Sequence, residues 1–242
     1  MNKRITILTG AGISKESGLS TFRDCATGLW NQVSIKDVAT PEGFDTNPDL
    51  VHDFYNARRS EVIKAQPNAA HLALADFEKA WRAQKRGLFQ VITQNIDDLH
   101  ERAGSSPKPI DCLIHLHGSI FKARCKCNAV FDWRIDLGTD SQCRQCKRTH
   151  CLRPDVVWFG EQPRKLSAVR AALRKSHVFI AIGTSGSVYP AADFVKDALL
   201  AGAHTVELNL EPSEHSEAFD ETHYGPATEV VPAYLTQLLD SI

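Results

Sequence analysis

The sequence of 242 residues contains no apolar run that approaches the roughly 20 residues of a membrane span. It also lacks an excess of charge of either sign, because 28 lysines and arginines face 29 aspartates and glutamates. The composition therefore offers no electrostatic case for binding nucleic acid or a membrane. An export signal is missing too, since the apolar run after Lys3 and Arg4 spans only residues 5–8. These absences predict a cytoplasmic protein that binds neither nucleic acid nor membrane.

The remaining composition is that of a globular protein. Hydrophobic residues make up 43% of the chain and charged residues 24%, which is enough apolar material for a sizeable core. The length allows one large domain or two small ones. Seven cysteines are present, an odd number, and four of them crowd into residues 125–146. Without an export signal, this pattern favours a metal site over a disulfide framework.

Apolar strand patterns alternate with helical patterns along much of the chain. Short apolar runs predict strands at residues 4–9, 88–93, 178–182 and 205–208. Helical periodicity predicts helices at residues 50–64, 69–81, 166–175, 191–200 and 232–239. This alternation favours an α/β fold with a Rossmann-like parallel sheet covered on both faces. Ligands bind beyond the carboxyl ends of such strands, and the chemically unusual segments of this chain follow those strands directly.

Two segments interrupt the alternation. Residues 34–67 carry prolines and a glycine around one short helix, and residues 119–154 are basic, cysteine-rich and poor in periodicity. We predict that both belong to a smaller lobe, helical in its first part and zinc-binding in its second. The large Rossmann-like lobe then comprises residues 1–33, 68–118 and 155–242 of one domain spanning 1–242.

A glycine-rich turn follows the first predicted strand. Residues 10–14 read Gly-Ala-Gly-Ile-Ser, and such glycines let a backbone approach a pyrophosphate. The dehydrogenase fingerprint needs a third glycine three residues on, where this chain has Lys15. Alone, the segment is compatible with a dinucleotide-binding loop or with a tight turn.

Two polar segments follow the second predicted strand. Residues 94–97 read Gln-Asn-Ile-Asp, and residues 114–118 read Ile-His-Leu-His-Gly. Each segment alone is compatible with an ordinary turn or with a structural histidine. Alternation puts His115 and His117 on the same side, so periodicity cannot choose between them.

Taken together and in this order, the glycine turn and the two polar segments resemble the sirtuin family. Residues 18–23 (Gly-Leu-Ser-Thr-Phe-Arg) extend the match, with Leu19 and Ser20 where the family usually has Ile-Pro. Asp98 stands where relatives usually carry asparagine. The resemblance covers nearly the whole chain and continues through residues 156–161, 183–185 and 209–211. It implies an NAD-consuming deacylase that acts on acylated lysine side chains of proteins and yields nicotinamide and O-acyl-ADP-ribose.

The resemblance also implies roles for individual residues. His117 would act as a base toward a ribose hydroxyl, and its unperturbed pKa near 6.5 suits that task. Asn95 and Asp97 would hold the ribose and the nicotinamide carboxamide as the other two catalytic residues. The expected cofactor-binding residues are Gly10, Ala11, Gly12, Ser14, Thr21, Phe22, Arg23, Trp30, Gln94, Asn95, Ile96, Asp97, Gly183, Thr184, Ser185, Asn209, Leu210, Glu211 and Ala227.

The cysteine cluster predicts one structural zinc ion. Cys143 and Cys146 have the spacing of a metal knuckle, and Cys125 and Cys127 lie upstream. Four thiolates complete a tetrahedral zinc site. The first pair is one residue closer than the family's usual Cys-x-x-Cys, which leaves His150 or Cys151 as alternatives to Cys127. The surrounding basic residues either neutralise an anionic zinc site or bind nucleic acid. The segment has few aromatic residues on which bases could stack, which opposes nucleic-acid binding.

Tyr55 and Arg58 are three residues apart, a spacing that puts both on one face of a helix. Alone, they read as a buried tyrosine beside a solvated arginine. Within the sirtuin resemblance they match the Tyr-x-x-Arg pair of members that accept succinyl- and malonyl-lysine, and a phenol and a guanidinium together can bind a carboxylate. Bacterial members with this pair and with Gly-Leu-Trp, as at residues 28–30 here, often also remove acetyl groups. The resemblance therefore implies deacetylation as well as desuccinylation. The substrate peptide should pair as an extended strand with the segment that contains Val157, Phe159 and Gly160.

Three other functions compete with this hypothesis. A nicotinamide-dependent oxidoreductase is opposed by Lys15 and by the His-x-His-Gly segment. A non-catalytic zinc-knuckle module predicts no NAD turnover. A protein mono-ADP-ribosyltransferase shares most of the expected site, and the Tyr55/Arg58 pair favours an acyl pocket instead. We expect the protein to be a monomer.

Overall fold

The computed structural model of the protein describes residues 3–20, 34–105 and 112–241. Its strands are β1 (Lys3–Thr9), β2 (Gly87–Thr93), β3 (Leu113–His115), β4 (Gly118–Cys125), β5 (Val130–Asp132), β6 (Leu152–Val156), β7 (Val178–Ile182), β8 (His204–Asn209) and β9 (Glu221–Tyr224). Its helices are α1 (Gly12–Lys15), α2 (Ile35–Val38), α3 (Pro41–Thr46), α4 (Pro48–Lys64), α5 (Ala69–Ala83), α6 (Leu99–Ala103), α7 (Leu166–Leu173), α8 (Phe194–Leu200) and α9 (Ala227–Ser241). Within these ranges, no helix combines the length and the apolar character needed to cross a bilayer.

Six strands form one parallel sheet in the order β3-β2-β1-β7-β8-β9. All five residues of β7 are buried, as expected for a strand with helices on both faces of its sheet. Ile5 and Ile7 of β1 pack with α5 and α9, whereas Leu8 packs with α7 and α8 on the opposite face. The α/β class predicted from the sequence is confirmed.

The strand order reverses between β1 and β7. The chain moves outward from β1 through β2 to β3, then returns and moves outward on the other side through β7, β8 and β9. In open parallel sheets such a switch point leaves a crevice beyond the carboxyl ends of the two central strands. The loops after β1 and β7 meet at this crevice.

The helix predicted at residues 232–239 is wrong at its start. It begins at Ala227, and Pro232 lies inside it. Its buried residues Val231, Tyr234, Leu235 and Leu238 continue the helical spacing across the proline, so packing against the sheet decides the boundary. The helix predicted at 191–200 begins with a 3-10 turn, Ala191–Asp193. The strands β3 and β9, of three and four residues, were not predicted because they are too short to show a pattern.

A second, antiparallel sheet has the order β5-β4-β6 and lies beside the helices α2 to α4. The helix α4 starts where the Asn47 side chain accepts a hydrogen bond from the Leu50 backbone N–H, with Pro48 in the first turn. Its apolar residues Val51 and Phe54 pack in one cluster with residues of β4 and with Trp158. This packing brings α4 against the segment that follows β6.

Candidate active site

The glycine turns after β1 and β7 touch each other. The Gly10 N–H donates to the Ile182 carbonyl oxygen at 2.9 Å, and the Gly12 N–H donates to Gly183 at 2.8 Å. A Cβ atom on Gly10 or Gly12 would lie 2.7 Å from backbone atoms of Gly183. Gly183 has a φ of +59°, and a Cβ atom on it would collide with the Ile13 backbone nitrogen. Glycine is needed at these positions because the two backbones approach too closely for any side chain.

Three expected site residues form one buried hydrogen-bonded group at the ends of β1 and β2. The Ser14 hydroxyl donates to Asp97 at 3.1 Å and accepts from the Asn95 amide at 3.0 Å. The Leu99 backbone N–H also donates to Asp97, at 3.1 Å. Burial raises the pKa of Asp97, and these donated hydrogen bonds only partly oppose it. Ser14 therefore fixes both the amide and the carboxyl group at the crevice.

The structure distinguishes His115 from His117 by their hydrogen bonds, which periodicity alone could not do. His115 directs Nδ1 to the Asn95 carbonyl oxygen at 3.1 Å and Nε2 to the Glu101 carboxylate at 2.8 Å. Both of its nitrogens thus donate to acceptors. Burial lowers the pKa of His115, but Glu101 outweighs it and the pKa is raised. His115 is a structural cation paired with Glu101.

His117 is held differently. Its Nδ1 donates to the Gln94 carbonyl oxygen at 2.9 Å, and Nε2 has no hydrogen-bond partner in the part of the chain that the structure describes. Burial lowers the pKa of His117, and the Gln94 carbonyl offsets this only in part. The ring is therefore neutral at pH 7, with its basic lone pair on Nε2.

The ends of β2, β7 and β8 are joined through Thr184. The Gln94 amide donates to the Thr184 hydroxyl at 3.0 Å, and the Asn209 amide donates to the Thr184 carbonyl oxygen at 2.9 Å. Ser185 continues this loop, with its hydroxyl 2.6 Å from that of Ser187. The expected cofactor-binding residues of three strands thus lie along one edge of the sheet.

The other expected residues occupy less enclosed positions. Ile96 is half-buried against the small-sheet cluster, Leu210 and Glu211 are exposed after β8, and Ala227 begins α9. Ala11 is half-buried between the two glycines of its turn. Four expected cofactor-binding residues lie outside the described residues: Thr21, Phe22, Arg23 and Trp30.

Two buried histidines belong to the same region, and sequence reasoning missed them. His71 Nε2 lies 3.4 Å from the Ser14 hydroxyl, and His100 Nε2 lies 3.0 Å from that of Thr9. The two rings meet edge to face at 5.0 Å. Burial lowers the pKa of His71 to about 4 and that of His100 well below its ordinary value. The Asn68-x-x-His71 capping box at the start of α5 was the available sequence signal.

Tyr55 and Arg58 lie on one face of α4, as their spacing predicts. Tyr55 is 2% exposed, and its hydroxyl accepts a hydrogen bond from the Trp158 indole N–H at 3.0 Å. Burial raises the pKa of Tyr55, so the phenol stays neutral. Arg58 donates to the Ser20 carbonyl oxygen at 2.8 Å and to Glu61 at 3.1 Å.

The segment after β6 ends in a turn at Phe159 and Gly160, in which the Glu161 backbone N–H donates to the Trp158 carbonyl oxygen at 3.0 Å. The Val157 N–H donates to the His117 carbonyl oxygen at 2.8 Å, and the Phe159 N–H donates to Ala39 at 2.9 Å. Val157 is half-buried, Phe159 and Gly160 are exposed, and Trp158 between them is buried. A groove of about 980 Å³ lies beside Phe159 along α2 and α3, and neither Tyr55 nor Arg58 lines it.

The four expected zinc ligands lie together. The sulfurs of Cys125, Cys127, Cys143 and Cys146 all fall within 4.8 Å of one another. The Sγ atoms of Cys125 and Cys146 are 3.7 Å apart, and those of Cys127 and Cys143 are 3.8 Å apart. A tetrahedral site with Zn–S bonds of about 2.3 Å requires sulfurs about 3.8 Å apart. The four thiols therefore fit a structural zinc ion, and Cys151 lies outside the group although its sulfur is 3.5 Å from Cys125.

The fold and the site together define a class of protein. A parallel sheet gathers two glycine turns, a buried Ser-Asn-Asp group and a neutral histidine at its switch point, beside a separate four-thiol cluster. That is the arrangement of an α/β protein that binds its ligand at the carboxyl edge of the sheet.

A model of the Sir2 family matches residues 10–190 of the chain. The chain belongs to the Sir2 family, and the sirtuin resemblance is confirmed. It is 53% identical over 239 residues to an NAD-dependent protein deacylase of Pasteurella multocida (strain Pm70), with 98% of each chain covered. It is 51% identical over 242 residues to an NAD-dependent protein deacylase of Escherichia coli (strain K12), with 99% of this chain and 83% of that protein covered.

Solved structures show the same fold. A Sir2 homolog in complex with NAD superposes with a TM-score of 0.88 at 36% identity, covering 99% of this chain and 90% of the other. A Sir2 protein bound to an acetylated peptide superposes with a TM-score of 0.80 at 26% identity, covering 97% and 92% of the two chains.

Proposed function

We propose that this protein removes acyl groups from lysine side chains of proteins in a reaction that consumes NAD. Its relatives of about half-identical sequence are NAD-dependent protein deacylases. The observation that carries the proposal is the neutral His117, whose Nε2 has no partner in the described ranges, next to the buried Ser14-Asn95-Asp97 group. The products are the free lysine, nicotinamide and O-acyl-ADP-ribose.

His117 acts as the general base. The Gln94 carbonyl oxygen holds the Nδ1 proton, which leaves the Nε2 lone pair to accept a proton from a ribose hydroxyl. The lowered pKa keeps the ring unprotonated at neutral pH. His115 cannot take this role, since both of its nitrogens already donate to acceptors.

Asn95 and Asp97 position the reacting end of the cofactor. Ser14 holds both side chains, so the amide and the carboxyl group need no rearrangement when they meet a ribose or a carboxamide. Such preorganised polar groups suit a reaction in which positive charge develops on the sugar ring. The Asp97 carboxyl oxygens accept hydrogen bonds from Ser14 and Leu99, and they have further acceptor capacity for the N–H groups of a carboxamide.

The loops at the switch point hold the rest of NAD, which supplies the electrophilic ribose carbon and nicotinamide as the leaving group. The glycine turns at Gly10 and Gly183 bring backbone close to the phosphates, with Thr184 and Ser185 as hydroxyl donors. The sirtuin resemblance assigns Arg23 and Phe22 to the phosphates and ribose, and it adds Thr21 and Trp30 to the cofactor-binding residues. It assigns the adenosine end to Asn209, Leu210, Glu211 and Ala227.

The acyl pocket accepts both acetyl and acidic acyl groups such as succinyl and malonyl. Tyr55 is a neutral phenol on the same face of α4 as the Arg58 guanidinium, and together they offer a hydrogen bond and a charge to a distal carboxylate. An acetyl group has no distal carboxylate, so its binding needs neither the hydrogen bond from Tyr55 nor the charge of Arg58. The peptide backbone pairs with the stretch from Val157 to Gly160, in which Phe159 and Gly160 are exposed and Trp158 points inward.

The zinc lobe is structural and does not bind nucleic acid. Three of its basic residues are paired within the protein: Arg124 with Asp155, Arg134 with Asp98, and Lys122 with Asp132. We assign residues 34–67 and 119–154 to this smaller lobe and the remainder to the large lobe. A four-thiol site implies a reducing compartment, which supports a cytoplasmic location. In the described part of the chain the exposed large apolar residues are spread over many elements, and only Leu199 and Leu200 of α8 are adjacent in sequence. This spread supports a monomer.

The test measures nicotinamide release from NAD with and without an acylated lysine peptide. A deacylase releases nicotinamide only when the acylated peptide is present, and His117→Ala abolishes the deacylated product. An oxidoreductase would instead reduce the nicotinamide ring and retain it. Nicotinamide release without acyl loss, with ADP-ribose joined to protein, would move the function to mono-ADP-ribosyl transfer.

A further inference from the structure

Trp158 is the inward residue of the segment that we propose to pair with the peptide. Its indole N–H donates to the Tyr55 hydroxyl oxygen at 3.0 Å, and both side chains are buried. An indole N–H is only a donor, so the tyrosine oxygen must accept this hydrogen bond. The tyrosine keeps its own hydroxyl proton for another partner.

The hydroxyl proton of Tyr55 has no acceptor within the described ranges of the chain. The Tyr55 hydroxyl has one hydrogen-bond partner in those ranges, the Trp158 indole N–H. Burying a polar O–H without an acceptor is unfavourable by an amount comparable to a lost hydrogen bond. A buried phenol with its oxygen satisfied and its proton free is therefore suited to an incoming acceptor, such as a carboxylate oxygen.

The indole itself is clamped in place. The Arg153 guanidinium lies over its ring at 3.9 Å from the centroid. Glu161 accepts two hydrogen bonds from Arg153, at 2.8 and 2.9 Å, and a third from the Trp158 backbone N–H at 2.9 Å. Phe44 packs against the ring with a centroid distance of 5.3 Å. Few other rotamers are open to Trp158, so the direction of its N–H is fixed.

We infer that Trp158 is a specificity-determining residue, which orients the Tyr55 hydroxyl so that its proton is donated to the distal carboxylate of an acidic acyl-lysine. This inference rests on the proposed deacylase function and adds a residue to its acyl selectivity. Trp158 acts through Tyr55 and is a positioning residue. An acetyl group ends in a methyl that accepts no hydrogen bond, so deacetylation does not depend on this orientation.

The test compares kinetics on succinyl-lysine and acetyl-lysine peptides of identical sequence. Trp158→Phe keeps an aromatic ring and removes the N–H. It should raise KM for the succinyl peptide about tenfold, the factor expected for one weakened hydrogen bond to a charged group, and leave its kcat within about twofold. Both constants for the acetyl peptide should stay within about twofold.

Two comparisons separate orientation from general damage. Tyr55→Phe removes the donor, so adding Trp158→Phe to it should raise the succinyl KM no further, whereas independent effects would multiply. The matched control is Trp133→Phe, which removes the same indole N–H from a buried tryptophan that donates to the Asp136 carbonyl oxygen at 3.2 Å. This control should leave the succinyl-to-acetyl ratio unchanged.

Glu161→Gln provides a second route if Trp158→Phe does not fold, because it weakens the clamp and leaves the indole in place. It should raise the succinyl KM by a smaller factor in the same direction. Equal losses on both peptides, or multiplying effects of Trp158→Phe and Tyr55→Phe, would overturn the inference. A wild-type protein that deacetylates but never desuccinylates would overturn it as well. Wild-type protein inactive on both peptides would instead reject the deacylase function itself.

Discussion

His115 and His117 are two residues apart and differ in protonation. His115 donates from both nitrogens, to the Asn95 carbonyl oxygen and to Glu101, and its pKa is raised. His117 donates from one nitrogen to the Gln94 carbonyl oxygen, and its pKa is lowered. One is a structural cation and the other a neutral base.

Substitution of the two histidines should separate these roles. His117→Ala should lower kcat by about 100-fold or more, the usual contribution of a general base, without lowering the thermal midpoint appreciably. His115→Gln should do the opposite, with a lower thermal midpoint and a smaller loss of kcat, because it breaks the pair between the half-buried His115 and Glu101. Steady-state kinetics and thermal denaturation of both variants show which histidine is the base and which is structural. The assignment of the base is rejected if His115→Gln is the more damaging variant for kcat.

The pH profile of kcat/KM should carry the signature of His117. The base is active when unprotonated, so activity falls as the pH drops through its pKa. Because burial lowers the pKa of His117, the acid limb should have its midpoint below the ordinary value of 6.5. Initial rates between about pH 5 and pH 8 at low substrate concentration would show it. A midpoint clearly above 6.5 would mean that a group with a raised pKa controls the rate.

Stability should fall on mild acidification because of the buried histidines. His71 has a folded pKa of about 4, below its unfolded value of 6.5, so its contribution is complete above pH 6.5 and is lost as the pH falls toward 4. Over that window the unfolded chain binds the proton, and the full loss is about 3 kcal/mol. His100 acts in the same direction.

Urea denaturation at about pH 7 and pH 5 measures this loss. His71→Gln keeps a side-chain amide near Ser14 and removes the titrating group. The variant should show a smaller drop in unfolding free energy between the two pH values than the wild-type protein. An identical drop in both would show that His71 does not carry the pH dependence.

Zinc content should depend on the four clustered cysteines, Cys125, Cys127, Cys143 and Cys146, and not on the neighbouring Cys151. Cys127→Ser should lose the metal and lower the thermal midpoint by more than about 5 °C, since structural zinc contributes directly to folding. Cys151→Ser is the matched control, a nearby thiol outside the group of four, and should keep one zinc per chain. Elemental analysis of the purified variants checks this. Metal lost from Cys151→Ser and retained by Cys127→Ser would replace the ligand set proposed here.

The close approach of the two glycine turns should be visible in NAD affinity. Gly12→Ala places a Cβ 2.7 Å from Gly183 and should displace both turns, which weakens NAD binding and destabilises the fold by about 1–3 kcal/mol. Gly202→Ala is a control of similar stability cost, because Gly202 has a φ of +77° in open space far along the chain. Calorimetric titration with NAD should find a loss of affinity in the first variant alone. Equal NAD affinity of Gly12→Ala and wild type would contradict the account of this loop.

The parts of the fold that sequence predicts are those with strong local signals. The continuous apolar run of β7 was predicted at its observed bounds, and β1 within one residue. The start of α9 was missed because packing of Val231 and Tyr234 outweighs the proline between them in the chain. The site residues carried by short motifs, such as Asn95 and His117, were predicted from the resemblance.

What the sequence could not give depends on contacts between distant residues. The physical difference between His115 and His117 rests on Glu101, which only the fold brings to His115. The Trp158–Tyr55 hydrogen bond joins residues 103 positions apart. The place of Cys127 in the thiol group was uncertain because its spacing is unusual, and the sulfur positions decide it.

The most direct test of the central claim is mass spectrometry of all products from one reaction of wild-type protein with NAD and an acetyl- or succinyl-lysine peptide. We predict equal amounts of deacylated peptide, nicotinamide and O-acyl-ADP-ribose, with no reaction when NAD is omitted and none with His117→Ala. Consumption of NAD that leaves the acyl group on the peptide, or that transfers ADP-ribose to protein, would contradict it.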